Sequence, residues 1–282
     1  MTPDKSRLLD DFVSDKILFG RSKTDASRAA GEALRNDLRY RRLRERLTKT
    51  GFFEPAPLAY AVKIAALLAV FVASFATLLT DPGWAARVLC WAATGFVLVQ
   101  GGFVSHEATH GAVSRSPRVT QAVGQCFQTL LVGLAFSYFW RSHELHHFHV
   151  NEEDRDPDTQ SDLLSVFASA AREKRGIGRF LTRFQHVFIV LLSPAWGVGL
   201  KWDALTYVLR NPKKTRLDQG MLLLHGILWA GLASVFLGPL DALVNYAGWL
   251  ACASVYMFLV IPFNHIGTRK ICLLYTSDAA DE

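Results

Sequence analysis

The chain has 282 residues, half of them hydrophobic, with a formal net charge of +6. Spread evenly, that composition would suit one or two soluble domains. The apolar residues are instead bunched into blocks long enough to cross a bilayer core of roughly 30 Å, which argues against a soluble protein with buried helices.

The N-terminus, MTPDKSRLLDDF, has no apolar segment, so no cleavable signal peptide is expected and the first membrane block is expected to be retained. Residues 1–57 form a basic region. Within it, Ser27–Thr50 reads as an amphipathic helix, with Leu34, Leu38, Leu43 and Leu47 among many arginines. Such a helix before a span suits an anionic lipid surface better than nucleic acid, and it favours a cytoplasmic N-terminus.

Leu58–Leu79, with Lys63 as its single charge, is expected to cross outward. Asp81-Pro82-Gly83 is a turn signal, and Val88–Val104 returns, bringing His106 out on the cytoplasmic side. Val119–Trp140 is apolar but carries Gln121, Gln125 and Gln128 at i, i+4 and i+7, a polar stripe on one helical face. Crossing there would separate His143 from His106, so this segment is expected to lie in the interface or to dip in and return. Phe180–Leu200, with Arg183, His186 and Pro194, reads the same way. Arg210–Gln219 is a basic cytoplasmic loop, Met221–Leu237 goes out, and Ala242–Phe263 comes back, leaving His265 on the cytoplasmic face. The expected fold class is an all-α, multi-pass membrane protein with four transmembrane helices, interfacial helices and a cytoplasmic histidine-rich cap. Cys90, Cys126 and Cys252 lie in apolar stretches without CxxC pairing and read as small core residues.

Five of the nine histidines fall in two groups, His106-Glu-Ala-Thr-His110 and His143-Glu-Leu-His146-His147. The spacings i, i+3 and i+4 put each group on one helical face. Imidazole suits iron, zinc and copper, and five imidazoles exceed what one tetrahedral ion uses, so two metal ions are implied. Both groups also fit H-E-x-x-H, in which Glu107 or Glu144 would activate a zinc-bound water for proteolysis. Two copies with an extra adjacent histidine are not explained by a mononuclear zinc site. His149 faces away from its group and reads as a surface residue or as one that orients a ligand, rather than as a ligand itself. His186 reads as a structural or lipid-contacting residue. His225 is placed near the cytoplasmic end of a span and is expected to be hydrogen-bonded there. Trp91, Trp229 and Trp249 read as anchors or packing residues.

The two groups resemble the first two histidine boxes of membrane fatty acid desaturases. Trp140, Asn151, Asp156-Pro157-Asp158 and the short gap in the first box resemble the acyl-lipid and front-end branch, and Asn264-His265 resembles the isolated histidine of the family. The resemblance spans roughly residues 58–270. It implies two non-haem iron ions held by His106, His110, His143, His146, His147 and His265, with Asp156, Asp158 and Asn264 as candidates for orienting those ligands. It implies O2 as co-substrate, a fatty acyl lipid, acyl-CoA or acyl-carrier substrate, and a separate electron donor of ferredoxin or cytochrome b5 type. A membrane di-iron hydroxylase or ketolase would share the same histidines. The expected location is a bacterial inner membrane, with the metal site on the cytoplasmic face.

Two features of the family are missing. No [HQ]xxHH box follows His265, and no His-Pro-Gly-Gly haem motif precedes the first span. The last stretch, CLLYTSDAADE, reads as the translation of a sequencing adapter. Residues 272–282 are therefore expected to be non-native, and 58–271 an incomplete desaturase-like domain that is inactive without its third box.

Overall fold

The structure is a computed structural model that describes residues 38–153, 155–159 and 165–261. Asn264, His265 and the tail 272–282 lie outside the described residues, as do residues 27–37 of the expected amphipathic helix. Among the described residues the regular structure is helical. Residues 38–49 are helical, with Tyr40, Leu43 and Leu47 on one side and basic residues around them.

From Pro55 onward the chain forms one unit. Helices α1 (Pro57–Leu78) and α2 (Trp84–Thr109) are the first two apolar blocks. They are joined at the Asp-Pro-Gly turn, where Asp81 takes the left-handed conformation (φ 49°) that Asp tolerates. Helix α3 (Pro117–Val123) continues into a π-helical stretch, Gly124–Leu131, and then breaks. Helix α4 (Phe136–His149) leaves the break at 112° to the incoming axis. Short helices α5 (Ala168–Glu173) and α6 (Gly176–Arg183) lead to α7 (Gln185–Leu192) and α8 (Trp196–Arg210). Then come α9 (Arg216–Gly226), a π-helical stretch at Ile227–Leu232, α10 (Ala233–Leu237) and α11 (Pro239–Val260).

Among the described residues, five helical stretches have the length and apolar composition to cross a membrane: Pro57–Leu78, Trp84–Thr109, Gln185–Arg210, Arg216–Leu237 and Pro239–Val260. That is one more than the four expected. The extra one arises because Pro194 interrupts the segment by only a 3₁₀ turn at Ser193–Ala195, and the helix then runs ten residues past Leu200. The outer surface is apolar, as a lipid-facing surface must be: Leu58, Leu89, Val235 and Leu240 are each at least 70% exposed.

The interior pairs α2 with α11, the two helices running parallel. At one end Arg87 bonds Asp241 (3.1 Å) and Asp81 (2.8 Å). Further along, Trp91 Nε1 donates to Asn245 Oδ1 (2.7 Å) and Gln100 Nε2 to the Tyr256 hydroxyl (2.9 Å). Between these rungs sits Gly95, where a Cβ would lie 2.8 Å from the Ala253 backbone nitrogen. Small residues allow this approach where helices associate by packing rather than by exclusion of water. Trp249 is buried against Trp229 here (4.6 Å between rings), so both tryptophans, like Trp91, pack inside the bundle. Cys90 is buried in the same cluster, whereas Cys126 is exposed, contrary to the expectation of a core residue.

The segment expected to lie in the interface or to dip in and return is bent by 112° between Leu131 and Phe136. Gln125 and Gln128 face inward, both nearly fully buried. Leu131 reaches Gly101 on α2, nine residues before His110, or about 14 Å along the helix axis at 1.5 Å per residue. From there α4 carries the chain back to the histidine end.

Candidate metal centre

The first histidine pair sits on the last turn of α2. His106 is helical, His110 is the residue that closes the helix, and Gly111 follows at φ 77°. A glycine at that position ends a helix without strain. The Gly111 and Ala112 amides donate back to the Ala108 and Glu107 carbonyls. His110 therefore stays one turn above His106, with the rings 4.7 Å apart.

The second group lies on α4. The His143 ring stacks on Phe139 (5.2 Å, 12° between planes), which also approaches His106. His143 Nε2 lies 3.0 Å from His110 Nε2 and 3.0 Å from His147 Nε2, and its ring centre is 4.5 Å from that of His106. One nitrogen from each of His106, His110, His143 and His147 falls within a mutual 4.8 Å. Two nitrogens bound to one ion at about 2.0–2.1 Å stand about 2.9–3.4 Å apart for angles between octahedral and tetrahedral. The two 3.0 Å separations fit that range. The donor set is nitrogen only, suited to a divalent transition metal. His147 is exposed at the last turn of α4. Its pKa is lowered from the usual value, first by partial desolvation, then by the neighbouring His110 and His146 rings, with Asp158 opposing.

His146 faces a different set of partners. It is buried, and its Nδ1 lies 2.8 Å from Asp156 Oδ1 and 3.4 Å from Asp158 Oδ2. Asp156 is fully buried and also accepts hydrogen bonds from the backbone amides of Asn151 (2.7 Å) and Asp158 (2.9 Å). Asn151 sits at φ 57°, a left-handed position that asparagine adopts more readily than most residues. That turn folds the acidic loop back under α4. With Nδ1 held by a carboxylate, Nε2 is the nitrogen His146 would offer to a metal, the usual arrangement of metal-bound histidines.

The two glutamates of the H-E-x-x-H patterns turn elsewhere. Glu107 pairs with Lys63 on α1 (3.3 Å), and Glu144 pairs with Arg141 one turn back (3.5 Å). His149 bonds Glu152 (2.8 Å), away from the cluster, and His186 is exposed.

His225 is not near the end of its membrane-length stretch. It lies midway along the Arg216–Leu237 stretch, bonded to the Leu130 carbonyl (2.8 Å) and the Tyr246 hydroxyl (3.0 Å). Two further residues, which no sequence pattern singles out as a site, pack against the same helix break. Lys201 on α8 donates to the Val132 carbonyl, and Asp218, within the stretch expected to be a cytoplasmic loop, is instead in the first turn of α9 and 1% exposed. A lysine between apolar runs is the signal that could have marked Lys201. Nothing distinguished Asp218 from its basic neighbours.

The fatty acid desaturase family pattern matches residues 82–277, well over half of the chain. An acyl-lipid (9-3)-desaturase of Physcomitrium patens is 26% identical, with the match covering 84% of this chain and 46% of that protein. An acyl-lipid (8-3)-desaturase of Thraustochytrium sp is 24% identical over 89% of this chain and 60% of its own length. A delta 8-(E)-sphingolipid desaturase of Kluyveromyces lactis is 28% identical over 47% of this chain and 22% of its own. The chain thus spans about half the length of the first two relatives. No solved structure matches it. A pattern match of this extent, laid over a membrane helix bundle with both histidine groups at one end, settles the family: this chain belongs to the fatty acid desaturases.

Proposed function

We propose that this chain is the histidine-bearing part of an acyl desaturase that inserts a double bond into a fatty acyl chain. The overall change would be R–CH2–CH2–R′ + O2 + 2 e⁻ + 2 H⁺ → R–CH=CH–R′ + 2 H2O. The observation that carries the reading is the convergence of His106, His110, His143 and His147, with His146 beside them oriented by Asp156. These five, joined by His265, would hold two non-haem iron ions, and Asp158 and Asn264 are further candidates for fixing the ligands. Bound iron would supply O2 activation, which no side chain provides alone.

The chain's own residues do the rest. Phe139 stacks on His143 and holds its ring. Asp156 fixes the His146 tautomer through Nδ1. The electrons would come from a separate donor of ferredoxin or cytochrome b5 type. The substrate would be an acyl lipid, acyl-CoA or acyl-carrier ester reached from the membrane. The basic stretch Arg210–Arg216 and the basic helix at 38–49 support a cytoplasmic location for the histidine end.

The test is acyl analysis by gas chromatography–mass spectrometry after expression in a host of known lipid content. The chain is expressed alone, and also fused to the C-terminal segment of a matching relative that supplies [HQ]xxHH. New double bonds from the fusion and none from the chain alone are expected. Hydroxylated chains without new double bonds would replace this reading with the hydroxylase. A fusion that accumulates, holds iron and alters no acyl chain would overturn both.

A further inference from the structure

A helix broken inside a membrane leaves backbone groups that water cannot reach, and each must find a partner in the protein. The break between Leu131 and Phe136 is such a place. On its carbonyl side, Leu130 accepts from His225 Nδ1 (2.8 Å) and Val132 accepts from the Lys201 ammonium. On its amide side, Phe136 donates to Thr129 Oγ1 (3.0 Å) and Ser137 donates to Asp218 Oδ1 (3.1 Å). Asp218 also accepts from the Ser137 hydroxyl and from Gln125 Nε2 (3.1 Å). Cationic and N–H donors thus face the negative end of one helix, and a carboxylate faces the positive end of the next, the favourable pairing at both ends.

The partners come from other helices. Lys201 is on α8, while Asp218 and His225 lie seven residues apart on one face of α9. His225 is braced in turn by Tyr246 of α11 (3.0 Å). Gly133, at φ 74°, sits in the middle, and any Cβ there would overlap both His225 and Lys201.

We propose that Lys201, Asp218 and His225 are positioning residues for the second histidine group: by capping the break, they set the angle at which α4 presents His143, His146 and His147 to α2. Ser137 is ten residues before His147, about 15 Å along a helix. A swing of 10° at the break would carry His147 about 2.6 Å sideways, whereas a metal tolerates displacements of only about 0.2 Å in ligand distance. Holding His147 that closely requires the angle to be fixed within about 1°. The link to metal binding rests on the proposed iron centre. The link to the helix angle does not.

The experiment separates the two. The full 282-residue chain, with native cysteines replaced, is placed in lipid nanodiscs with spin labels at the exposed positions Leu89 on α2 and Phe148 on α4. Pulsed electron–electron resonance reads the distance distribution, and iron retention is followed against increasing chelator. One narrow distance is expected in the parent. Lys201→Met should broaden or shift it by several ångströms and weaken iron retention at least tenfold, and Lys201→Arg, which keeps a cation, should restore both. Asp218→Asn, isosteric and neutral, gives the same reading if Lys201→Met does not accumulate. A narrow, unshifted distance in Lys201→Met, or in Asp218→Asn where that variant stands in for it, would overturn the proposal. A parent that holds no iron would sink the metal reading, while the distances would still decide the positioning role.

Discussion

The His146 ring bonds Asp156 through Nδ1 at 2.8 Å, and Asp156 is wholly buried beneath α4. Two backbone amides hold the same carboxylate, so the ring can neither flip nor change tautomer without breaking a buried network. Asp156→Asn should keep the shape but lose the charge. Iron affinity is expected to fall by about 10- to 100-fold, the usual cost of removing such a partner. Chelator titration of the purified variant would show it. Unchanged retention would mean that His146 needs no carboxylate.

His143 is the residue that touches two of its three cluster neighbours, His110 and His147, at 3.0 Å. His143→Ala should therefore remove at least half of the bound iron as measured by elemental analysis. His149→Ala, whose ring bonds Glu152 instead, should leave the iron content unchanged. Equal losses in both variants would argue for general damage to α4 rather than loss of a ligand.

The glutamates separate oxidative chemistry from zinc hydrolysis. Because Glu144 pairs with Arg141 and not with the cluster, Glu144→Gln should change acyl product formation less than twofold in the completed protein. A hydrolase would depend on such a glutamate as its general base. Loss of all function in Glu144→Gln, with iron still bound, would count against the present reading.

Gly133 marks the break from the backbone side. Its φ of 74° and the contact of any added methyl with His225 and Lys201 predict that Gly133→Ala costs about 1–3 kcal/mol. Gly231→Ala, where a Cβ meets nothing within 4 Å, serves as the control. Thermal unfolding of the two variants in detergent should give a clear drop for the first and none for the second.

Much of this arrangement is legible in the sequence, for one physical reason. Apolar runs of membrane length and imidazoles at i, i+4 are local patterns, and α1, α2, α11 and the two histidine groups are local objects. The glutamine stripe at Gln121, Gln125 and Gln128 also signals a segment that cannot face lipid all round. Lys201 and Asp218 are not legible this way. Their roles depend on carbonyls and amides some seventy to eighty residues earlier, which become partners only after the chain has broken and folded back. The Phe180–Leu200 segment reads as interfacial rather than spanning for a related reason: Pro194 is a strong breaker in sequence, yet a single 3₁₀ turn absorbs it.

The 112° bend between α3 and α4 also bears on how the protein is made. Because the chain turns back at this bend, both histidine groups fall within a single stretch, His106 to His147, and the contacts between them span fewer residues than the seventy to eighty that separate the break from Lys201 and Asp218. Contacts that close shorter loops form more readily than those that close longer ones. The imidazoles can meet once α4 has been synthesised, before α8 and α9 exist to clamp the break. The ligands are thus gathered first and locked later, so a chain stalled between those stages would carry an assembled but loose set of histidines.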